Sequence, residues 1–478
     1  MNHQVDVAVI GAGHAGLNAI KEIRQVTDNY VLINGGGLGT TCARIGCMPS
    51  KVAIHLAEVC ASRKDLPRYG ITGAEGLRLD PTIALNHVRD LRDTFVDLVL
   101  ANTTDEIGDE LIEDFAQFLD ARTLLVGDGI VHTKATVIAT GASSFVPRGW
   151  RELLGDRMLT VEGIFEQESL PASVAVIGLG PVGIEMGQVL HRLGVKVVGI
   201  ESGEHIARIA DPGVNQAAVE ILQREFPIWL NERAEVEPEG EGVRVRAGEH
   251  ELWVEKIFAA TGRHPNLVRL GLERTGCQLD EHGVPLHDAR TLQVGRLPIY
   301  LAGDATGGIA NLQTAAEQGR IAGYNASHDR PRQIAAKTPI SIVFTDPNIA
   351  MVGTRWSDLD EDAVVGQQRF GPVGRALILG QNRGLLQVYA DRRSGLVLGG
   401  AMVGPRCEHL AHLLAWGIQS RMTVTDMLGM PFYHPVIEEC LQDCLHQLAK
   451  KITTQGSNVS WPERRVPLQW RPGAGLVA

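Results

Sequence analysis

Two thiols five positions apart open the chemistry of this chain: Cys42 and Cys47, in Gly39-Thr40-Thr41-Cys42-Ala43-Arg44-Ile45-Gly46-Cys47-Met48-Pro49-Ser50-Lys51. A pair at this spacing can close into a readily reduced disulfide, bind a metal, or sit inert. Seven cysteines scattered over 478 residues are an odd count, which argues against a structural disulfide framework and for a catalytic or metal-binding pair. No second Cys-x-x-Cys or nearby His pair completes four zinc ligands. What decides between redox and inert is the company the pair keeps. Pro49 is a good first-turn residue, so Cys47 is expected near a helix N-terminus, whose dipole favours a thiolate.

That company is a dinucleotide fingerprint, present twice. Val7 to Ile10 reads as a strand, followed by Gly11-Ala12-Gly13-His14-Ala15-Gly16 and a helical pattern from Leu17 to Val26. Val174 to Ile177 repeats the strand, followed by Gly178-Leu179-Gly180-Pro181-Val182-Gly183 and a helix through Leu193. In each, the first glycine makes the turn, the second lets backbone approach a pyrophosphate, and the third lets helix pack on strand. One match is weak; two in strand–turn–helix context are strong. The second unit's next strand, Val195 to Ile200, ends at Glu201, placed to bind a ribose 2′-OH and to repel a 2′-phosphate. Ser202-Gly203-Glu204 offer no arginine, so NAD is expected over NADP. The first unit ends at Asn34, where an acid would be expected.

Ala139-Thr140-Gly141 after Thr136–Ile138, and Ala260-Thr261-Gly262 after Ile257-Phe258, repeat as well. Ile299-Tyr300-Leu301-Ala302-Gly303-Asp304 puts a carboxylate at the rim of the first nucleotide fold, able to hold a polyol hydroxyl. In the C-terminal third, His434-Pro435-Val436-Ile437-Glu438-Glu439 spaces an imidazole from a carboxylate that can fix its tautomer and raise its basicity.

The order of these motifs resembles the two-cysteine flavoprotein disulfide oxidoreductases, which include dihydrolipoamide dehydrogenase, glutathione reductase and mercuric reductase. The likeness runs from Val5 to about Lys451 and includes Pro339 to Pro347 and Gly399 to Gly404. It implies an α/β chain of two Rossmann-like nucleotide-binding domains and an α+β C-terminal dimerisation domain. The implied FAD domain covers 1–147 and 271–336, the NAD domain 148–270 and the dimerisation domain 337–452, with an extension at 453–478. FAD would meet Gly11, Gly13, Gly16, Asn34, Thr41, Lys51, Thr140, Gly141 and Asp304. NAD would meet Gly178, Gly180, Gly183, Glu201 and Gly262. The resemblance also assigns roles. Cys42 exchanges with substrate and Cys47 lies under the flavin. Lys51 stands near the flavin N5 with Glu185 as its ion-pair partner, and His434 with Glu439 is the acid–base dyad, reaching the other subunit of a homodimer.

Within the family, Glu201 and the dyad point to dihydrolipoamide dehydrogenase acting on a lipoyl group carried by a protein. An NADH-dependent reductase of another disulfide is the runner-up, and a flavin-bearing subunit of a larger assembly is the alternative from a different class. Cys440 and Cys444, one helical turn apart, read as buried interface residues in preference to metal delivery. Three departures from the family pattern stand near the site: Asn34 for an acid, Thr40 for glycine, and Val436 for threonine. A net charge of −11 disfavours nucleic acid and anionic membranes as partners. With no basic, apolar leader before Val5 and no membrane-length apolar run, the expected location is cytoplasmic. The extension with Trp461 and Trp470 reads either as a mobile tail or as a segment whose tryptophans pack across the dimer.

Overall fold

The computed structural model describes residues 2–308 and 310–452; the expectation for Trp461 and Trp470 lies outside the described residues. The chain divides into two compact units. The first comprises Met1–Arg208, Val219–Lys337 and Val343–Thr345; the second comprises Ile209–Ala218, Thr338–Ile342 and the chain from Asp346 onward.

The first unit holds both nucleotide sheets. In the larger, the strands run Leu111–Ile112, Tyr30–Ile33, Asn2–Ile10, Gly129–Ile138, Thr123–Val126 and Ala116–Asp120, with Ile299–Leu301 also pairing with Gly129–Ile138. Residues of Asn2–Ile10 such as Val7 and Val9 are buried, as a parallel sheet covered on both faces requires. Register then decides what emerges where. Ile10 pairs with Ile33 and with Ile138, and Ile138 pairs with Leu301. Four strands therefore end level, and Gly11, Asn34, Ala139 to Gly141 and Ala302 to Asp304 leave the sheet along one rim. That carboxyl-end rim is where open α/β sheets bind ligands.

The second sheet repeats the device with the order Ile228–Leu230, Lys196–Glu201, Ser173–Ile177, Lys256–Ala259 and Met158–Leu159. Ile177 pairs with both Ile200 and Ala259, so Gly178, Glu201 and Ala260 to Gly262 share a rim.

The first crossover helix is His14–Ile23, three residues earlier than the pattern Leu17–Val26 suggests. The reason is Gly16, which lies inside the helix. A Cβ on it would stand 1.9 Å from the Gly11 carbonyl oxygen, so only glycine lets this turn pack there. Gly183 meets Gly178 at the same 1.9 Å in the second unit, within the helix Pro181–Arg192. Pro181 opens that helix, where its missing N–H costs nothing.

The second unit is built on a five-stranded sheet in the order Ile340–Val343, Asn348–Gly353, Val397–Gly404, Leu385–Asp391 and Ala363–Arg369. Its strands Leu385–Asp391 and Val397–Gly404 pair antiparallel. Asp391 accepts from the Ser394 N–H at 2.6 Å and Gly395 takes φ +71°, which turns the chain. The helices Cys407–Gln419 and Glu439–Lys451 bury Leu410, Leu414, Leu441 and Leu445 on this unit's core. Among the described residues no helix is long and apolar enough to cross a membrane.

Candidate active site

Cys42 lies in the short helix Thr41–Arg44 and Cys47 is the first residue of the helix Cys47–Ser62. Between them the Ile45 and Gly46 N–H groups both return to the Thr41 carbonyl, at 3.1 and 2.8 Å, and this tight turn folds one cysteine back towards the other. Both are free thiols, Cys42 half-buried and Cys47 exposed. The Cys42 thiol donates a hydrogen bond to Cys47, which drives the pair's protons apart. Cys47 is lowered to about 6, first by that hydrogen bond and further by Lys51, against the opposing effects of burial and Glu185. Cys42 is pushed far above the ordinary thiol range, chiefly because it is the proton donor, and then by burial. The helix start expected at Cys47 adds its dipole to this thiolate.

Lys51 stands one turn beyond Cys47 on the same helix. Its Nζ lies 2.8 Å from Glu185 Oε2, and 4.8 Å from the centre of the Phe344 ring. Glu185, buried on the helix Pro181–Arg192, uses its other oxygen to accept the Phe344 N–H at 2.8 Å. The sequence reading foresaw Lys51 with Glu185 but not Phe344; residue type offers no signal, because a backbone N–H is the group at work.

The two nucleotide rims match atom for atom. Asn34 Oδ1 accepts the Ala12 N–H at 3.0 Å, and Glu201 Oε2 accepts the Leu179 N–H at 2.7 Å. In each case the donor follows the first glycine by one and precedes the acceptor by 22 residues. Asn34 thus keeps the carboxylate's architectural bond without its charge, and its Nδ2 donates to the Gly36 carbonyl. Glu201 Oε1 additionally accepts from the Gly203 N–H at 3.2 Å. A Cβ added to Gly11 or Gly178 would strike the carbonyl of Ala139 or Ala260, at 2.4 and 2.5 Å. By contrast, a Cβ on Gly13 would meet only the Ala139 oxygen at 3.9 Å, and one on Gly180 would meet nothing within 4 Å. The middle glycine of each fingerprint therefore faces open space, as a phosphate cradle requires.

Thr140 Oγ1 is buried without a hydrogen-bond partner beside Gly141, which takes φ +67°. Asp304, at the same rim, has its carboxyl raised by burial, an effect Arg263 opposes from 3.9 Å. Arg263, directly after Gly262, is a charged group the sequence reading passed over. Thr41 is exposed at the start of its helix. These groups fit a dinucleotide on each rim: open middle glycines, an unpaired buried hydroxyl and a half-buried carboxyl.

In the second unit, His434 Nδ1 lies 2.8 Å from Glu439 Oε1. A carboxylate can only accept, so in the neutral imidazole Nδ1 carries the proton and Nε2 is the open nitrogen. Glu439 Oε2 accepts the Val436 N–H at 3.1 Å. Both bonds hold its carboxyl below the usual range, the imidazole's more than the amide's. The valine found in place of threonine therefore still fixes Glu439, through its backbone. Cys440 and Cys444, on the next helix, are fully buried beside Cys407. Burial raises both thiols, and among the described residues no group of three His, Cys, Asp or Glu side chains is arranged to hold a metal.

The fold and the site together place this chain in a class. It belongs to the pyridine nucleotide-disulphide oxidoreductases, whose pattern matches residues 5–319, and the family's dimerisation domain matches residues 340–444. It is thus a member of an FAD-binding enzyme family that works with nicotinamide nucleotides. The chain is similar to a mercuric reductase of Staphylococcus aureus, 28% identical over 437 residues, covering 88% of this chain and 78% of that one. It is equally similar to a dihydrolipoyl dehydrogenase of Thermus scotoductus, 28% identical over 463 residues, covering 93% and 98%. Among solved structures, LpdA of Mycobacterium tuberculosis superposes with a TM-score of 0.80 at 25% identity, over 93% of this chain and 100% of that one. The Cu(II) complex of the HOCl-induced flavoprotein disulfide reductase RclA of Escherichia coli superposes at 0.81 with 22% identity, over 93% and 99%, a likeness of fold.

Proposed function

We propose that this protein is a dihydrolipoamide dehydrogenase-type enzyme, passing electrons from a dithiol through Cys42 and Cys47 to NAD⁺, as a homodimer with shared active sites. The observation that carries the reading is the His434–Glu439 dyad, an imidazole with Nδ1 held at 2.8 Å and Nε2 free to take a thiol proton. The proposal assigns 1–147 with 271–336 to FAD, 148–270 to NAD and 337–452 to the dimer.

In the proposed cycle the pair begins as a disulfide. Nε2 of His434, acting on the partner subunit's pair, takes a proton from the substrate dithiol. The thiolate attacks Cys42 sulfur, the Cys42–Cys47 bond breaks, and Cys47 leaves as a thiolate. The Lys51 charge and the helix start at Cys47 favour this thiolate and make it a good leaving group. The second substrate thiol then attacks the mixed disulfide at the substrate's own sulfur, and Cys42 leaves and recovers a proton. Two electrons now reside in the cysteine pair, with the proton on Cys42 and the charge on Cys47, the arrangement the free thiols favour. A bound FAD would supply the two-electron acceptor and hydride-donor chemistry between the cysteine pair and the nicotinamide. Gly11, Gly13, Gly16, Asn34, Thr41, Thr140, Gly141 and Asp304 would hold it, and Lys51, fixed by Glu185, would set a positive charge at its reactive edge.

Glu201 supports NAD over NADP, since a carboxylate and a 2′-phosphate repel; Gly178, Gly180, Gly183 and Gly262 complete that site. The relatives include mercuric reductases, but Cys440 and Cys444 are buried in the core, which counts against metal delivery by them. The test is steady-state turnover by the FAD-loaded dimer. Dihydrolipoamide with NAD⁺ is the expected pair, ahead of NADP⁺ and ahead of NADH-driven reduction of glutathione disulfide or Hg²⁺. A protein with bound FAD and reducible thiols that turns over no dithiol would overturn the proposal.

A further inference from the structure

We infer that Tyr433 is a substrate-contact residue, its ring forming the apolar wall along which the hydrocarbon arm of a neutral dithiol lies as it meets His434. The inference rests on the dithiol-oxidation reading above and names the substrate class for that same site.

The segment ahead of the dyad is built to present two side chains. The helix Val424–Leu428 is closed at its start by a reciprocal cap between Thr423 and Asp426, which fixes where the chain leaves it. The chain then runs Met430-Pro431-Phe432-Tyr433-His434-Pro435, with a proline at each end limiting backbone freedom. Phe432 packs against the unit's core and anchors the stretch. Its neighbours cannot follow it inward: Tyr433 is 80% exposed and the His434 side chain 79%. Phe432 thus anchors a stretch whose next two side chains, phenol and imidazole, both stand exposed, and Met430 at its start is half-exposed.

A lone exposed tyrosine needs no explanation. This one adjoins the base of the reaction on a stretch pinned at both ends, so its contact area is offered at little entropic cost. The charges around it narrow the ligand. Between Met422 and Ala449 the chain carries Asp426, Glu438, Glu439 and Asp443 and neither lysine nor arginine. The acidic character of this stretch disfavours a substrate bearing carboxylates, such as glutathione disulfide. It favours an uncharged alkyl arm, which gains from the aromatic wall and loses nothing to the acids.

The experiment compares wild type, Tyr433→Ala and Tyr433→Phe as FAD-loaded proteins, each checked for flavin content and dimeric elution. Two substrates are used with NAD⁺: dihydrolipoamide, which has an alkyl arm, and dithiothreitol, which has none. Tyr433→Ala is expected to reduce the preference for dihydrolipoamide by about 5- to 20-fold, through KM and not kcat, the scale on which lost apolar contacts discriminate substrates. Tyr433→Phe keeps the ring and is expected to restore the preference. An unchanged preference in Tyr433→Ala overturns the inference. So does an equal loss on both substrates, or a dissociated dimer that Tyr433→Phe rescues, either of which assigns Tyr433 to structure. If wild type oxidises neither dithiol, the underlying reading has failed, and the wild-type arm alone reveals it.

Discussion

Lys51 and Glu185 form an ion pair of 2.8 Å across 134 residues of sequence, joining the helix of the cysteine pair to the helix of the second dinucleotide fingerprint. Glu185 is buried and has spent its other oxygen on the Phe344 N–H, so the carboxylate is fixed from two sides and the ammonium is fixed by it.

Removing that carboxylate leaves two donors without an acceptor. Glu185→Ala should lower unfolding stability by about 2–3 kcal/mol, the cost of stranding a partly buried partner and an N–H group. Glu185→Gln, which can still accept from Phe344, should lose about half as much. Chemical denaturation of the FAD-free proteins checks the order; equal losses would mean that the Phe344 bond contributes nothing.

The thiol pair makes a pH prediction with a definite sign. Cys47 sits at about 6 in the folded protein against an ordinary value of 9.0. Between those values the unfolded chain holds one proton more, so the reduced protein should gain stability as pH rises from about 6 to 9. The gain is lost as pH falls through 6. Because the largest cause is the hydrogen bond from Cys42, Cys42→Ser should keep Cys47 low, while Cys42→Ala should move it up towards the ordinary thiol range. Ultraviolet thiolate absorbance against pH measures both; identical titrations in the two variants would refute the assigned cause.

Gly180 separates folding from binding. Its φ of −62° is open to any residue, and a Cβ there would meet nothing within 4 Å. Gly180→Ala should therefore leave Tm unchanged to within about 2 °C, as for a substitution away from strain and packing. It should nevertheless weaken nicotinamide nucleotide binding, because the added methyl occupies the phosphate approach. Gly183→Ala should instead fail to fold well, since its Cβ would collide with the Gly178 carbonyl. Calorimetric unfolding beside nucleotide titration distinguishes them.

Thr40 is a β-branched residue at φ +64° and ψ 150°, a conformation that suits glycine. Its hydroxyl caps the Ala43 N–H at 3.3 Å, which offsets part of the strain. Thr40→Ala keeps the strain and loses the cap, costing about 1 kcal/mol. Thr40→Gly relieves the strain and should be more stable than the alanine variant by about 1–2 kcal/mol. Thermal unfolding that ranks alanine above glycine would contradict the strain.

Much of this was legible in the sequence because it lives in side-chain identity and spacing. The glycine fingerprints, the acid ending Lys196–Glu201, and the His434 to Glu439 spacing are local and chemically specific. What escaped is held by backbone groups or by distant chain. Phe344 acts through its N–H, Val436 likewise, and the Asn34 side chain finds Ala12 through register and not through any motif. Gly16 misled the helix start because glycine reads as a breaker, whereas here close packing against Gly11 demands it inside the helix. The turn at Asp391-Arg392-Arg393-Ser394-Gly395, by contrast, is marked in the sequence by a polar break between two apolar strands.

The central claim is that Cys42 exchanges with the dithiol while Cys47 faces the flavin. The direct measurement is turnover and visible absorbance of FAD-loaded Cys42→Ser. The expected result is loss of dihydrolipoamide oxidation with a persistent long-wavelength band from the Cys47 thiolate against the flavin. Loss of that band in Cys42→Ser, with its persistence in Cys47→Ser, would contradict the claim and reverse the two thiols.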